Sequence, residues 1–247
     1  WNAEVGIKQG IKFGKFFAYF DIAGFWQEYS NTIEYLFGYW SLDFVPGFKF
    51  VNTTDTRVLG IDGSFSGFAK IGKHSKLTFM AGYNYIAPKT LEPNKEYAQD
   101  AFGNTFTYNN SSLDSTELYL KYRFVHNVKL DIEYSWKGFA IGYSFKYWSS
   151  IENLDLAIQQ FEASTEASSN LQNIRYMDYY NENNNGNFVM DARISYAFKN
   201  GMHKVAVISS NFLNRAYSLR PLKIEAPRTI MLQYTFKLDG DTKQKKS

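Results

Sequence analysis

The chain has 247 residues and combines 19% aromatic with 21% charged residues, at a mean hydropathy of -0.38 and a net charge of +3. No apolar run approaches the roughly 18 residues that a membrane-crossing helix needs, the lack of cysteine excludes a disulfide scaffold and thiol chemistry, and so weak a charge makes no case for nucleic acid. Aromatic excess without bulk hydrophobicity is the composition of a transmembrane β-barrel, whose strands meet lipid only at every second residue.

In chain order, Ala3, Val5, Ile7, Ile11 and Phe13 form the apolar face of a first strand, with Glu4, Lys8 and Lys12 opposite. Gly14 and Lys15 then turn the chain, and the apolar residues move to even positions: Phe16, Ala18, Phe20, Ile22 and Trp26. A two-residue hairpin demands that change of parity, because residues i and i+3 must pair on one face. Leu59, Ile61, Phe65, Ala69 and Ile71, then Leu77, Phe79, Ala81, Tyr83 and Tyr85, continue the plan. The longest in-phase series runs Leu118, Leu120, Tyr122, Phe124, Val128, Leu130, Ile132, Tyr134 and Trp136, interrupted at His126. Parity also permits a three-residue turn over 125–127, but connection lengths favour one long strand.

At Lys137 and Gly138 the parity changes again, to Phe139, Ile141, Tyr143, Phe145 and Tyr147. The last hairpin sets Phe188, Met190, Ala192, Ile194, Tyr196 and Phe198 against Ile230, Leu232, Tyr234, Phe236 and Leu238, with Asn200 and Gly201 suited to a type I′ turn. Short turns at 14–15, 72–76, 137–138 and 199–201 thus alternate with long loops at 31–47, 88–117, 151–187 and 214–226. A transmembrane barrel does this, with short periplasmic turns and long extracellular loops. We count about nine strands. Single-chain bacterial barrels have even strand numbers, so an odd count that opens inside a strand pattern at Trp1, without an initiator Met, reads as a piece of a larger barrel. Gly6, Gly10, Gly60, Gly82 and Gly142 fall on the inward face, where small residues allow bends and close approach.

The run Asn211-Phe212-Leu213-Asn214-Arg215-Ala216-Tyr217, with Ser218-Leu219-Arg220-Pro221 and then Pro227-Arg228-Thr229, resembles the C-terminal signature of TonB-dependent outer-membrane receptors, in particular those of Bacteroidota. Asn52, Arg57 and Gly60-Ile61-Asp62 look like the family's strand carrying an Asn, an Arg and a Gly-Ile/Val-Glu triplet. The segment from Tyr147 to Asp155, with Trp148 and Ser149, is similar to its Tyr-x-Ser-x-x-x-Asn-x-Asp run. In the departures, Phe212-Leu213 inverts the usual order, Ala216 stands where the family has an acidic residue, and a charged tail follows Phe236. The resemblance implies an all-β transmembrane antiparallel barrel of about 22 strands around a plug, of which residues 1–238 are the C-terminal part and 239–247 a charged periplasmic tail. The plug lies upstream of the barrel in that family, outside this chain.

What the resemblance implies for function is active import across the outer membrane of a Gram-negative bacterium. The cargo would be scarce or bulky: a siderophore, haem, cobalamin, an oligosaccharide or a peptide. Its implied partners are outer-membrane lipid, the rest of the barrel and plug, the TonB complex and a surface lipoprotein, with no cofactor, no nucleic acid and no enzymatic activity. The alternative is a receptor-like barrel kept as a structural subunit of an outer-membrane assembly.

His74, His126 and His203 are too scattered for a metal site, and no Ser-His-Asp set stands out. The inward polar residues Asp62, Lys129, Asp131, Glu133, Asp191 and Arg193 read first as a lumen wall solvating itself and contacting a plug. Tyr35, Phe37, Tyr39, Trp40 and Phe44 make one long loop rich in aromatics, able to stack a ligand's rings or sugar faces; the plainer reading is that these rings pack on neighbouring loops. Leu154, Ala157, Ile158 and Phe161 have helical spacing, which predicts a short helix within 151–161, and the Asn-rich stretch 181–187 is expected to be mobile.

Overall fold

The computed structural model describes residues 1–43, 45–166, 175–198, 201–220 and 223–237. Strands β1 (Asn2–Phe13) and β2 (Phe16–Tyr29) are followed by a short pair, β3 (Ile33–Tyr39) and β4 (Pro46–Asn52), and then by β5 (Thr56–Ile71) and β6 (Ser75–Thr90). A small ribbon of β7 (Ala98–Gln99) and β8 (Thr105–Phe106) and one turn of helix, α1 (Tyr108–Ser111), lead to β9 (His126–Trp136) and β10 (Phe139–Trp148). Two helices, α2 (Leu156–Glu166) and α3 (Tyr176–Asn183), precede β11 (Asn187–Phe198), β12 (His203–Ser210) and β13 (Thr229–Phe236). Nine of the strands form one sheet in the order β1-β2-β5-β6-β9-β10-β11-β12-β13, with every neighbouring pair antiparallel. The other four make two small separate ribbons.

Register follows the parity of the sequence. Phe13 pairs with Phe16 across the first turn and Trp136 with Phe139 across the third. Phe79, Ile132, Tyr143 and Ala192 continue as opposed neighbours over four strands. Many large side chains on that face stay exposed: Ile132, in mid-sheet, is 47% exposed and Ile194 is 59% exposed. A contiguous apolar face of this extent, exposed from edge to edge, belongs against lipid and not water. No helix of the described residues is long and apolar enough to cross a membrane.

Three expectations change. The long series ending at Trp136 is not one strand, since β9 begins at His126 and residues 118–125 make irregular loop contacts. Leu118 and Tyr122 both adopt φ of 62°, which reverses side-chain direction and breaks a period-two count. The helix after Ile151 starts only at Leu156, because the backbone of the residues before it is already committed: Ser112 bridges Asp155, Phe124 bridges Ile151, and the Leu154 and Asn153 carbonyls accept from Leu113 and Tyr122. The Asn-rich stretch is built in, since residues 181–183 finish α3 and Asn184 bonds both Ile151 N (2.7 Å) and Ile151 O (2.9 Å). The turn at Asn200 and the tail from Leu238 onward lie outside the described residues, while Gly201 takes φ of 88°.

Candidate functional site

On the polar face, Arg193 of β11 reaches across Gly142 of β10 to β9. It grips Asp131 with both terminal nitrogens at 2.8 Å and Glu133 through Nε at 3.0 Å. Arg193 pairs directly with Gly142, and a Cβ on that glycine would lie 2.5 Å from Arg193 Cζ; only a residue without a side chain leaves the path open. Asp191 takes Lys146 at 3.2 Å and the Asn211 amide at 2.9 Å. Asp62 and Lys129 line a shallow cleft of about 320 Å³ further along this face. The inward carboxylates are therefore spread over distinct ion pairs and clefts, not gathered into one catalytic group.

The long loops fold together into a cap at one end of the sheet. Its centre is a buried ion pair, Lys121 Nζ to Asp155 Oδ1 at 2.6 Å, with both side chains at most 2% exposed. Asp155 also accepts the Phe37 amide at 2.7 Å and the Tyr122 hydroxyl, and Lys121 also donates to Ser111 at 2.8 Å. Burial, reinforced by the Asp155 charge, pushes the Tyr122 hydroxyl far up, so it stays a donor. Around this hub pack Phe37, Ile151, Leu154, Ile158 and Met177, with Phe48, Tyr122 and Phe161 against them. Residues far apart in sequence thereby share one small hydrophobic core.

One wall of the cap opens as a cleft of about 660 Å³ lined by Tyr35, Phe48, Tyr122, Arg123, Leu219, Arg220 and Lys223. Tyr35 meets Phe48 at 5.9 Å, and Phe48 meets Tyr122 edge-on at 5.8 Å, so the rings hold one another in place. Arg123 sits 3.4 Å from Glu34, a carboxylate only 8% exposed. Burial raises the Glu34 pKa to about 7, with the Asp155 charge adding slightly and Arg123 and Lys121 opposing.

Of the aromatic residues singled out in the sequence, only Tyr35 among the described residues lines this cleft. Phe37 is a core residue, Tyr39 packs edge-on against Phe102 at 6.3 Å, and Trp40 packs on Phe106 while its indole donates to the Gly47 carbonyl at 2.9 Å. Phe44 lies outside the described residues. Sequence reasoning missed Tyr122 and Arg123, which the long-strand reading placed in the sheet, and Arg220 and Lys223, which stand in an irregular loop without period. A signal for the hub was present in Asn153 and Asp155.

Those two residues end the segment that begins at Tyr147, and the structure gives the segment a job. Ser149 Oγ accepts both the Val125 and His126 amides at 3.1 Å, and Asn153 Nδ2 donates to the Tyr108 hydroxyl at 2.8 Å and the Tyr119 carbonyl at 3.0 Å. The C-terminal motif is a buckle of the same kind. Asn211, at φ of 49°, bonds Arg215 through both ends of its amide, and Asn214 accepts the Arg228 amide at 3.0 Å, which aims the chain into β13. Among the described residues no group of His, Asp or Glu is placed to hold a metal ion; His126 and His203 instead bond Tyr83 and Tyr234.

A long-stranded antiparallel sheet with a bare apolar face, an ion-paired polar face and a folded cap at the long-loop end has the fold of an outer-membrane β-barrel wall. Among solved structures, the chain is similar to the outer membrane transporter YddB from Escherichia coli. The TM-score is 0.55 at 12% identity, over 96% of this chain and 32% of that one. The chain thus spans about a third of the length of that transporter. No protein-family model matches it, and no curated protein does.

Proposed function

We propose that this chain is part of the barrel wall and extracellular cap of an outer-membrane transporter of the TonB-dependent kind, which imports a scarce or bulky nutrient. The observation that carries this reading is the union of a lipid-type face, a charged lumen-type face and an ordered cap with a cleft on one continuous sheet. The order of the sequence motifs, ending in the Asn211–Tyr217 buckle, supports the TonB-dependent class, and the likeness to an outer-membrane transporter supports transport. The rest of the barrel, a plug and TonB are the partners this reading calls for, and a surface lipoprotein is a further partner it allows.

The test is genetic. A strain lacking the gene and a strain lacking TonB are grown on ferric siderophores, haem, cobalamin, oligosaccharides and peptides, each as a limiting nutrient. A growth defect shared by both strains on one nutrient is the expected result. Wild-type growth of the gene-deleted strain on every nutrient, with the protein present in wild-type outer membranes, would reject transport in favour of a structural subunit.

A further inference from the structure

We infer that the cap cleft takes a ring-bearing organic anion: a flat ring or sugar face carrying a carboxylate or phosphate. This deepens the transport reading and rests on it. The cleft's volume of about 660 Å³ lies inside the range of about 300–1,000 Å³ usual for small-molecule sites. Its lining combines two chemistries. Tyr35, Phe48 and Tyr122 form the ring array described above, a surface on which an aromatic ring or the C–H face of a sugar stacks. Arg123, Arg220 and Lys223 line the same cleft.

These cations retain capacity for an anion. Arg123 has its carboxylate at 3.4 Å with 44% of its side chain exposed, and Lys223 has Glu225 at 3.5 Å with 47% exposed. Arg220 makes no ion pair among the described residues. Partly solvated pairs at such lengths are weak, whereas a ligand carboxylate or phosphate meets a guanidinium with two parallel short bonds.

The site is also ordered in advance. Tyr122 is pinned from behind by Asp155, and Arg123 follows it directly in the chain with Glu34 at its flank. The aromatic part of the site is therefore set before any ligand arrives, which lowers the ordering cost of binding. A neutral ligand would use only the aromatic wall.

The experiment is calorimetric titration of the detergent-solubilised full-length protein with matched probes. Trigalacturonate is paired with neutral galactotriose, and dihydroxybenzoyl-serine with its methyl ester. At least one anionic probe is expected to bind at least about tenfold tighter than its neutral partner, with an affinity that falls as salt rises. The arm that responds tells an acidic sugar from an aryl acid. The double variant Arg220→Gln, Lys223→Gln, on a solvated loop and away from the buried hub, is expected to weaken that binding by about 10- to 100-fold, with heat-modifiable gel mobility unchanged. Equal affinity for both members of each pair, binding of no probe, or an unaffected double variant in a folded barrel would overturn the inference. A shared growth defect on a neutral nutrient alongside any of these results would remove the ligand class and leave transport standing.

Discussion

The sheet and the cap of this chain solve the same problem under opposite conditions. In the sheet, the strands satisfy their backbone groups in long ladders and leave the apolar side chains facing outward, so there is no protein core between them. In the cap, Leu154, Ile158 and Phe37 are buried as in a water-soluble domain, the ladders shrink to two short ribbons, and backbone groups left over are met by Asn153, Asp155 and Ser149 side chains. Where the surroundings are oil, order comes from the main chain; where they are water, it comes from a core and a few buried polar hubs. The two halves of the molecule should therefore fail separately.

The sharpest break is at Asp155. Replacing it with Ala leaves Lys121 charged and buried without its partner, and deprives the Phe37 amide and the Tyr122 hydroxyl of their acceptor. Loss of one member of a buried pair costs roughly 3–5 kcal/mol. The expected outcome is a cap cut rapidly by protease in a barrel whose heat-modifiable mobility is intact; a protected cap would mean the hub is not its centre. The converse experiment attacks the sheet. Ile132→Arg, in mid-sheet on the apolar face, should cost ~2–4 kcal/mol in phospholipid vesicles. Thr78→Arg, on the polar face opposite Glu133, should cost little in the same urea titration. Equal costs would refute the assignment of faces.

A smaller effect separates the regions by pH. The folded cap holds Glu34 with a pKa of about 7 against an ordinary value of 4.5, so between those values the folded form keeps a proton that the unfolded form has lost. The contribution of Glu34 to cap stability is thus fully present below about pH 4.5 and is lost as pH rises through about 7, by on the order of 3 kcal/mol. Near-UV circular dichroism melts of the cap should show this decline, and Glu34→Gln should flatten it; parallel slopes for the two proteins would exclude Glu34 as the cause. The smallest change is Gly60→Ala in β5. A Cβ there would sit 2.6 Å from the Tyr85 carbonyl oxygen and against the Phe25 ring, an overpacking worth ~1–3 kcal/mol that should lower the barrel's unfolding midpoint and spare the cap.

The same division explains what could be read from the chain alone. In the sheet, period-two alternation carried the pairing, and the parity changes at Gly14 and Lys137 sit at observed hairpins. The reading failed where alternation ceased to mean extension. Counting through Leu118 and Tyr122 assumed a β backbone, but both residues are left-handed, and Lys121 enters the hub instead of the lumen face. The cleft was legible only at Tyr35. Arg123, Arg220 and Lys223 meet because the loops converge in space, and the contact from Asp155 to the Phe37 amide spans 118 residues of sequence. No local pattern encodes such a meeting.

Alternation also leaves a sheet one ambiguity. It distinguishes one face from the other, so a slip of one residue is forbidden, but a slip of two restores every apolar residue to the apolar face. Arg193 removes this degeneracy. Moved by two places along β10, it would face Ala140 or Ser144 instead of Gly142, and a side chain would stand between it and β9. One arginine lying over one glycine thus works as a vernier on the ladder, selecting a single alignment of β9, β10 and β11 from a set that hydrophobicity alone would accept.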